Sequence, residues 1–233
     1  MKQYTFTIII ALAVLVFLGL AGRYGFTVVK IEDAERAVQS EAFDPVSYVD
    51  GIWDAQLLPT FNEKAVELSK ILSEIEVDAD GTASKESLTT IAEKYGLITD
   101  GEAHLYMVKG NGKITNVSTE TSLGTLEVAL DDYDGPIKVL IYVGTRIPSD
   151  ETSVRDAVGF ISFGDFKEQT EYGKVASEIN KRVLSKVLSN LDKNNLEGKA
   201  ISFKGAFNIR TFNLVQIDVK EIHIVPVEIE LGE

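Results

Sequence analysis

The residues best placed to do chemistry lie in one polar loop. Between Gly144 and Asp156 the chain reads GTRIPSDETSVRD, which crowds Arg146, Asp150, Glu151, Arg155 and Asp156 together. Guanidinium groups grip carboxylates and phosphates through paired N–H donors, so Arg146 and Arg155 read as a clamp for an anionic or polar ligand. The competing reading, which carries more weight, is a loop tied down by its own ion pairs and an Asp cap. Asp156, Gln169 and Trp53 complete the candidate binding set. Trp53, the only tryptophan, is either a stacking platform or, as the favoured reading, a core anchor.

Catalysis has little to build on. The two histidines, His104 and His223, stand far apart in strand-like runs. Neither is bracketed at the spacing a zinc site or a catalytic triad requires. Acid pairs such as Asp131/Asp132 and Asp150/Glu151 are ordinary in an acidic chain and carry little weight as glycosidase carboxylates. Asp78-x-Asp80-Gly81 resembles the start of a calcium loop, but its glycine falls too early and Thr89 stands where the last acid belongs. We read a turn there. Gly110-Asn-Gly112-Lys113 lacks the spacing of a phosphate loop and reads as a hairpin between strands 104–109 and 112–118. The chain has no cysteine, hence no thiol nucleophile, disulfide framework or thiolate metal site. The expectation is a non-enzyme with no catalytic residue, metal or cofactor.

Location is written at the beginning of the chain. Tyr4 to Ala21 is apolar apart from two threonines and a tyrosine, with Lys2 before it and Arg23 after. About 18 helical residues reach roughly 27 Å, close to the thickness of a bilayer core. The leading positive charge favours the amino terminus inside and the rest exported. The length favours an uncleaved transmembrane anchor, while the small-x-small pattern Gly19-Leu20-Ala21 leaves a cleaved signal as the alternative. The net charge of −13 disfavours nucleic acid and anionic lipid surfaces as partners.

The elements that must position the loop follow from periodicity. We divide the chain into an anchor or signal over 1–24, a tether and helical subdomain over 25–100, and a β-rich body over 101–233. In the tether, 26–31 is a short strand candidate and 34–42 a linker or helix turn. Asp44-Pro45 starts a helix carrying Trp53, with a break expected near Pro59. Glu63–Ile75 and Lys85–Tyr95 are amphipathic helices, the second stopped at Gly96. Strands are expected at 104–109, 112–118, 124–131, 136–143, 158–163, 199–205 and 213–230, with turn chemistry at Gly110–Gly112, Ser122–Gly124, Asp134-Gly135 and Asn208. Pro226 marks a bulge or an edge. Asp165 should cap a long amphipathic helix over 166–192, whose stripe is Val175, Ile179, Val183, Leu184, Val187, Leu188 and Leu191. The fold class is α+β: an N-terminal membrane anchor, a helical segment, then a small OB-like antiparallel barrel with one long helix inserted between its strands.

On these residues the chain resembles a bacterial family of predicted periplasmic lipoproteins of unknown function. The carriers are Arg155-Asp156-Ala157, Phe160-Ile161-x-Phe163-x-Asp165-Phe166, Gln169, Tyr172 and Asn180. Gly198-Lys199, Gly205-Ala206-Phe207 and Pro226-Val227 continue the likeness, as do Tyr48-Val49, Ile52-Trp53 and Lys94-Tyr95-Gly96 upstream. Family members typically carry a lipid-accepting cysteine, whereas this chain has Gly22-Arg-Tyr-Gly25 in that region. They also tend to carry a Gly-Pro-Val-Ile-Arg-Gly-Thr-Ala-Leu run before the Arg-Asp pair, of which Val143–Val154 keeps only part. The resemblance implies an accessory role beside sugar-type ABC importers, with a transporter or binding-protein component as partner. The residues leave a second reading open: a small-ligand module using the barrel face and the Arg146–Arg155 loop.

Overall fold

The computed structural model describes residues 43–99, 101–189, 191–193 and 195–232, together with Val14, Leu15, Phe17 and Arg23. Two compact units divide the chain, Met1–Phe43 and Asp44–Glu233. The anchor expected at 4–21 lies outside the described residues apart from Val14, Leu15 and Phe17, as do the tether expectations at 26–31 and 34–42. Among the described residues, no helix is long and apolar enough to cross a membrane.

The second unit opens with helices. Asp44 caps α1 (Pro45–Ile52) by accepting from the Val46 amide at 3.0 Å, with Pro45 supplying the preset first-turn geometry. The chain does not break at Pro59. A single π turn, Trp53–Leu57, leads directly into α2 (Leu58–Lys64), and Pro59 is taken into the helical path at the start of α2. The helix expected over 63–75 is instead two pieces. Ala65 turns extended at ψ 127°, and β1 (Val66–Glu67) pairs in parallel with Val108 and Lys109 before α3 (Leu68–Ser73) resumes. Backbone pairing with a sheet edge overrides the apolar stripe there. After a turn built by Asp78, β2 (Thr82–Ser84) leads into α4 (Lys85–Tyr95), whose bounds match the periodicity and whose last turn is closed by the Gly96 amide on Ala92.

The short β3 (Leu97–Ile98) precedes β4 (Ala103–Ser118), a single strand of 16 residues. The hairpin expected at Gly110–Gly112 does not exist: the chain runs straight through. The two glycines serve close approach instead of turning. A side chain at Gly112 would meet the Ala129 carbonyl oxygen at 2.2 Å, and one at Gly110 the Phe203 ring at 2.9 Å. Then come β5 (Thr125–Leu130), β6 (Lys138–Tyr142), helix α5 (Ser153–Ala157) and helix α6 (Gln169–Arg182), the last continued by π turns over Val183–Leu188. β7 (Ala200–Arg210), β8 (Gln216–Asp218) and β9 (Glu221–Leu231) complete the unit. Asn208 lies inside β7 and is not a turn residue, and the run expected at 213–230 is split between β8 and β9.

Neither the strand expected at 158–163 nor the helix start at Asp165 is present. Gly159 at φ +73° breaks the extended path, and a 3-10 turn spans Phe163–Asp165, closed by reciprocal Ser162 and Asp165 contacts. Phe163 is exposed while Ile161 is buried, so this run is a link whose apolar residues do not share one face. Glu168, paired with Glu171, caps α6.

Pairing runs β4–β5–β6–β9–β7 and returns from β7 to β4. The sheet is mixed and not wholly antiparallel, because β6 and β9 run parallel. The register slips between Lys204 and Gly205 opposite Pro226, the bulge expected at that proline. The core within these strands is Tyr106, Leu126, Ile141, Phe203, Phe207 and Ile224, all at most 1 % exposed.

Candidate functional site

Arg155 is the centre of a closed polar knot. Helix α5 holds it 7 % exposed. Its Nε donates to Asp156 Oδ1 at 2.6 Å and its Nη1 to the Tyr172 carbonyl at 3.0 Å. The guanidinium lies 3.5 Å from the centroid of the Tyr172 ring, and the Tyr172 hydroxyl donates to the same Asp156 oxygen at 2.8 Å. Burial, reinforced by Asp156, pushes that hydroxyl up to about 12. Phe163 and Phe166 pack against the other sides of the ring. The charge, two of the planar donors and the π face of one arginine are thus engaged within the protein, joining α5 to the first turn of α6.

The remaining candidates lie apart from that knot. Arg146 is exposed, and its backbone amide donates to the Ser122 carbonyl at 3.0 Å. Gln169 is exposed at the first position of α6. Trp53 is 2 % exposed, inside the π turn after α1. Of the set, the structure brings together Arg155 and Asp156.

A cleft of about 400 Å³ opens on the other side of the same loop, lined by Tyr142, Glu151, Asn208, Arg210, Glu221 and His223 among others. Tyr142 at the end of β6 and His223 on β9 stack at 5.3 Å between centroids. Glu151 is 9 % exposed, and its Oε1 accepts from the Ser153 amide at 2.8 Å and from Asn208 at 3.3 Å. Its backbone carbonyl accepts from Asn180 of α6 at 2.9 Å. At the rim, Arg210 forks onto the Asp150 carboxylate at 3.3 Å. Burial, followed by Glu151, Asp150 and Glu221, pushes the Tyr142 hydroxyl up to about 12. No motif carries this cleft, because its walls come from four separate stretches. Tyr142, Asn208 and His223 are not set apart by composition, because β7 and β9 carry other polar residues such as Lys204 and Glu228.

Two further features stand out. Phe212, Leu214 and Val215, on the connection between β7 and β8, are 62 %, 48 % and 79 % exposed. In the core, His104 Nδ1 and the Tyr106 hydroxyl have no hydrogen-bond partner among the described residues. Burial pushes the His104 imidazole down, toward the neutral form, and pushes the Tyr106 hydroxyl up. The Asp78 carboxylate is engaged inside its own turn, accepting from the amides of Asp80 and Thr82 and from the Thr82 hydroxyl.

Comparison with known proteins gives a consistent setting. The family model described as "Predicted periplasmic lipoprotein (DUF2291)" matches residues 13–230. No curated protein matches. Among solved structures, an OB-fold protein from Thermotoga maritima is similar at 18 % identity and a TM-score of 0.59, covering 82 % of this chain and 100 % of that one. At that identity the likeness bears on fold alone.

Proposed function

The chain belongs to the family of predicted periplasmic lipoproteins DUF2291, and from that membership we propose that it is a non-catalytic, membrane-held accessory of an ABC-type uptake system. The family match over residues 13–230 is the observation that carries the reading, since it argues for an extracytoplasmic body. This chain has no cysteine to accept a lipid, so the apolar segment Tyr4–Ala21 takes over the anchoring role. The ring of strand pairings supports a small OB barrel as that body, with α6 inserted between its third and fourth strands. Three apolar side chains in water at Phe212, Leu214 and Val215 suit contact with another protein better than display to solvent.

A photo-crosslinking residue at position 212 of the full chain, irradiated in intact cells, tests this. The expected result is an adduct with an importer subunit that disappears when Val215 is changed to Asp. Adducts with no importer subunit would contradict it. A second reading, a small-ligand module, is favoured by one observation, the cleft beside Glu151.

A further inference from the structure

We propose that the cleft between β6, β7 and β9 binds a small organic cation carrying N–H donors, a guanidinium or an alkylammonium. The inference rests on the ligand-module reading and is independent of docking through Phe212.

The argument starts from two unfinished polar groups. Glu151 is 9 % exposed, and only Oε1 of its carboxylate is engaged among the described residues; Oε2 has no partner there. Oε2 is not sealed from water, unlike the unpartnered atoms of His104 and Tyr106, so it opens onto the cleft, where a ligand's N–H donor can replace water. Tyr142 is 8 % exposed, and its hydroxyl likewise has no hydrogen-bond partner among the described residues. Both residues line the same cleft. Asp150 and Glu221 line it as well, so Tyr142 shares the cleft with these three carboxylates.

Charge then selects the ligand. The one arginine of the lining, Arg210, is occupied by Asp150, whose carboxylate and backbone carbonyl both accept from it at 3.3 Å. Asp218 is offset by Lys220 at 3.4 Å. What is left is Glu151 together with Glu221, whose nearest basic group is His223 Nε2 at 3.6 Å. The cleft is therefore a negative hollow with an aromatic wall, the Tyr142–His223 stack. A flat or compact cation fits both features: its N–H groups meet Glu151 Oε2 and the Tyr142 hydroxyl, and its charge lies beside a π surface. A neutral polyol would leave the carboxylate charge uncompensated, and an anion would be repelled. A volume of about 400 Å³ is at the small end of ligand pockets.

The test uses the full-length chain in detergent, titrated with agmatine and with putrescine at constant ionic strength. Binding is read by calorimetry and by the melting temperature. Saturable binding of either amine is expected, with none for the uncharged 1,4-butanediol. Tyr142→Phe keeps the stack on His223 and should weaken binding at least tenfold. Glu151→Gln keeps the Oε1 acceptor for Ser153 and should abolish binding. Either variant must melt cooperatively to count, and Tyr142→Phe alone suffices if the other does not. Amine binding unchanged in these variants, an equal response to calcium chloride or butanediol, or no binding would each overturn the proposal. A negative result here leaves the crosslinking test at position 212 standing by itself.

Discussion

At the scale of the residue, Arg155 and Tyr106 make opposite predictions. Arg155 satisfies a largely buried Asp156 and the Tyr172 carbonyl, so removing it strands both. Arg155→Ala should cost about 3 kcal/mol in chemical denaturation, with Arg155→Lys recovering only part because an ammonium lacks the planar fork. A loss under about 1 kcal/mol would show that the knot is not structural. Tyr106 is the reverse case: its ring stacks on Phe207 at 4.8 Å while its buried hydroxyl has no partner among the described residues. Tyr106→Phe should keep the stack and raise stability by about 1 kcal/mol. Destabilisation would reveal a partner for that oxygen. The Arg155–Asp156 adjacency was legible because the two are neighbours in sequence. Tyr172 was not, since a carbonyl acceptor and a ring face 17 positions away leave no trace in composition or spacing.

Elements were legible where one face meets one environment. α4 emerges with its expected bounds because Ser84 caps it and its apolar face meets the sheet. Two of the misreadings share a cause: backbone pairing decided at long range. Val66-Glu67 leaves the helix to pair with β4, and β4 ignores its two glycines because β7 pairs with it from Ala103 to Lys113. Glycine types suggested a turn, whereas the structure uses them as thin places where strands crowd. This gives a prediction for the element. Gly112→Ala forces a Cβ to within 2.2 Å of the Ala129 carbonyl oxygen, where backbone and not a flexible side chain must yield. It should cost about 2 kcal/mol, read by denaturant unfolding, through loosening of β4 against β5. A neutral Gly112→Ala would return that segment to the status of a tolerant turn.

For the whole molecule, the α+β class and the long helix between strands were legible from alternation and the stripe on α6. The parallel pairing of β6 with β9 was not, because strand direction has no local signature. The family match supplies the setting, a family of predicted periplasmic lipoproteins, and the OB-fold neighbour bears on the fold, while the site follows from side chains that the topology alone brings together. The account stands or falls on which side of the membrane the folded body lies. Because the chain has no cysteine, one introduced at the exposed Glu120 is a clean reporter. The measurement is labelling of Glu120→Cys by a membrane-impermeant maleimide in intact bacteria, with the membrane fraction collected afterwards. The account predicts full labelling of intact cells and recovery of the labelled chain with the membranes. Labelling only after the inner membrane is permeabilised would contradict it.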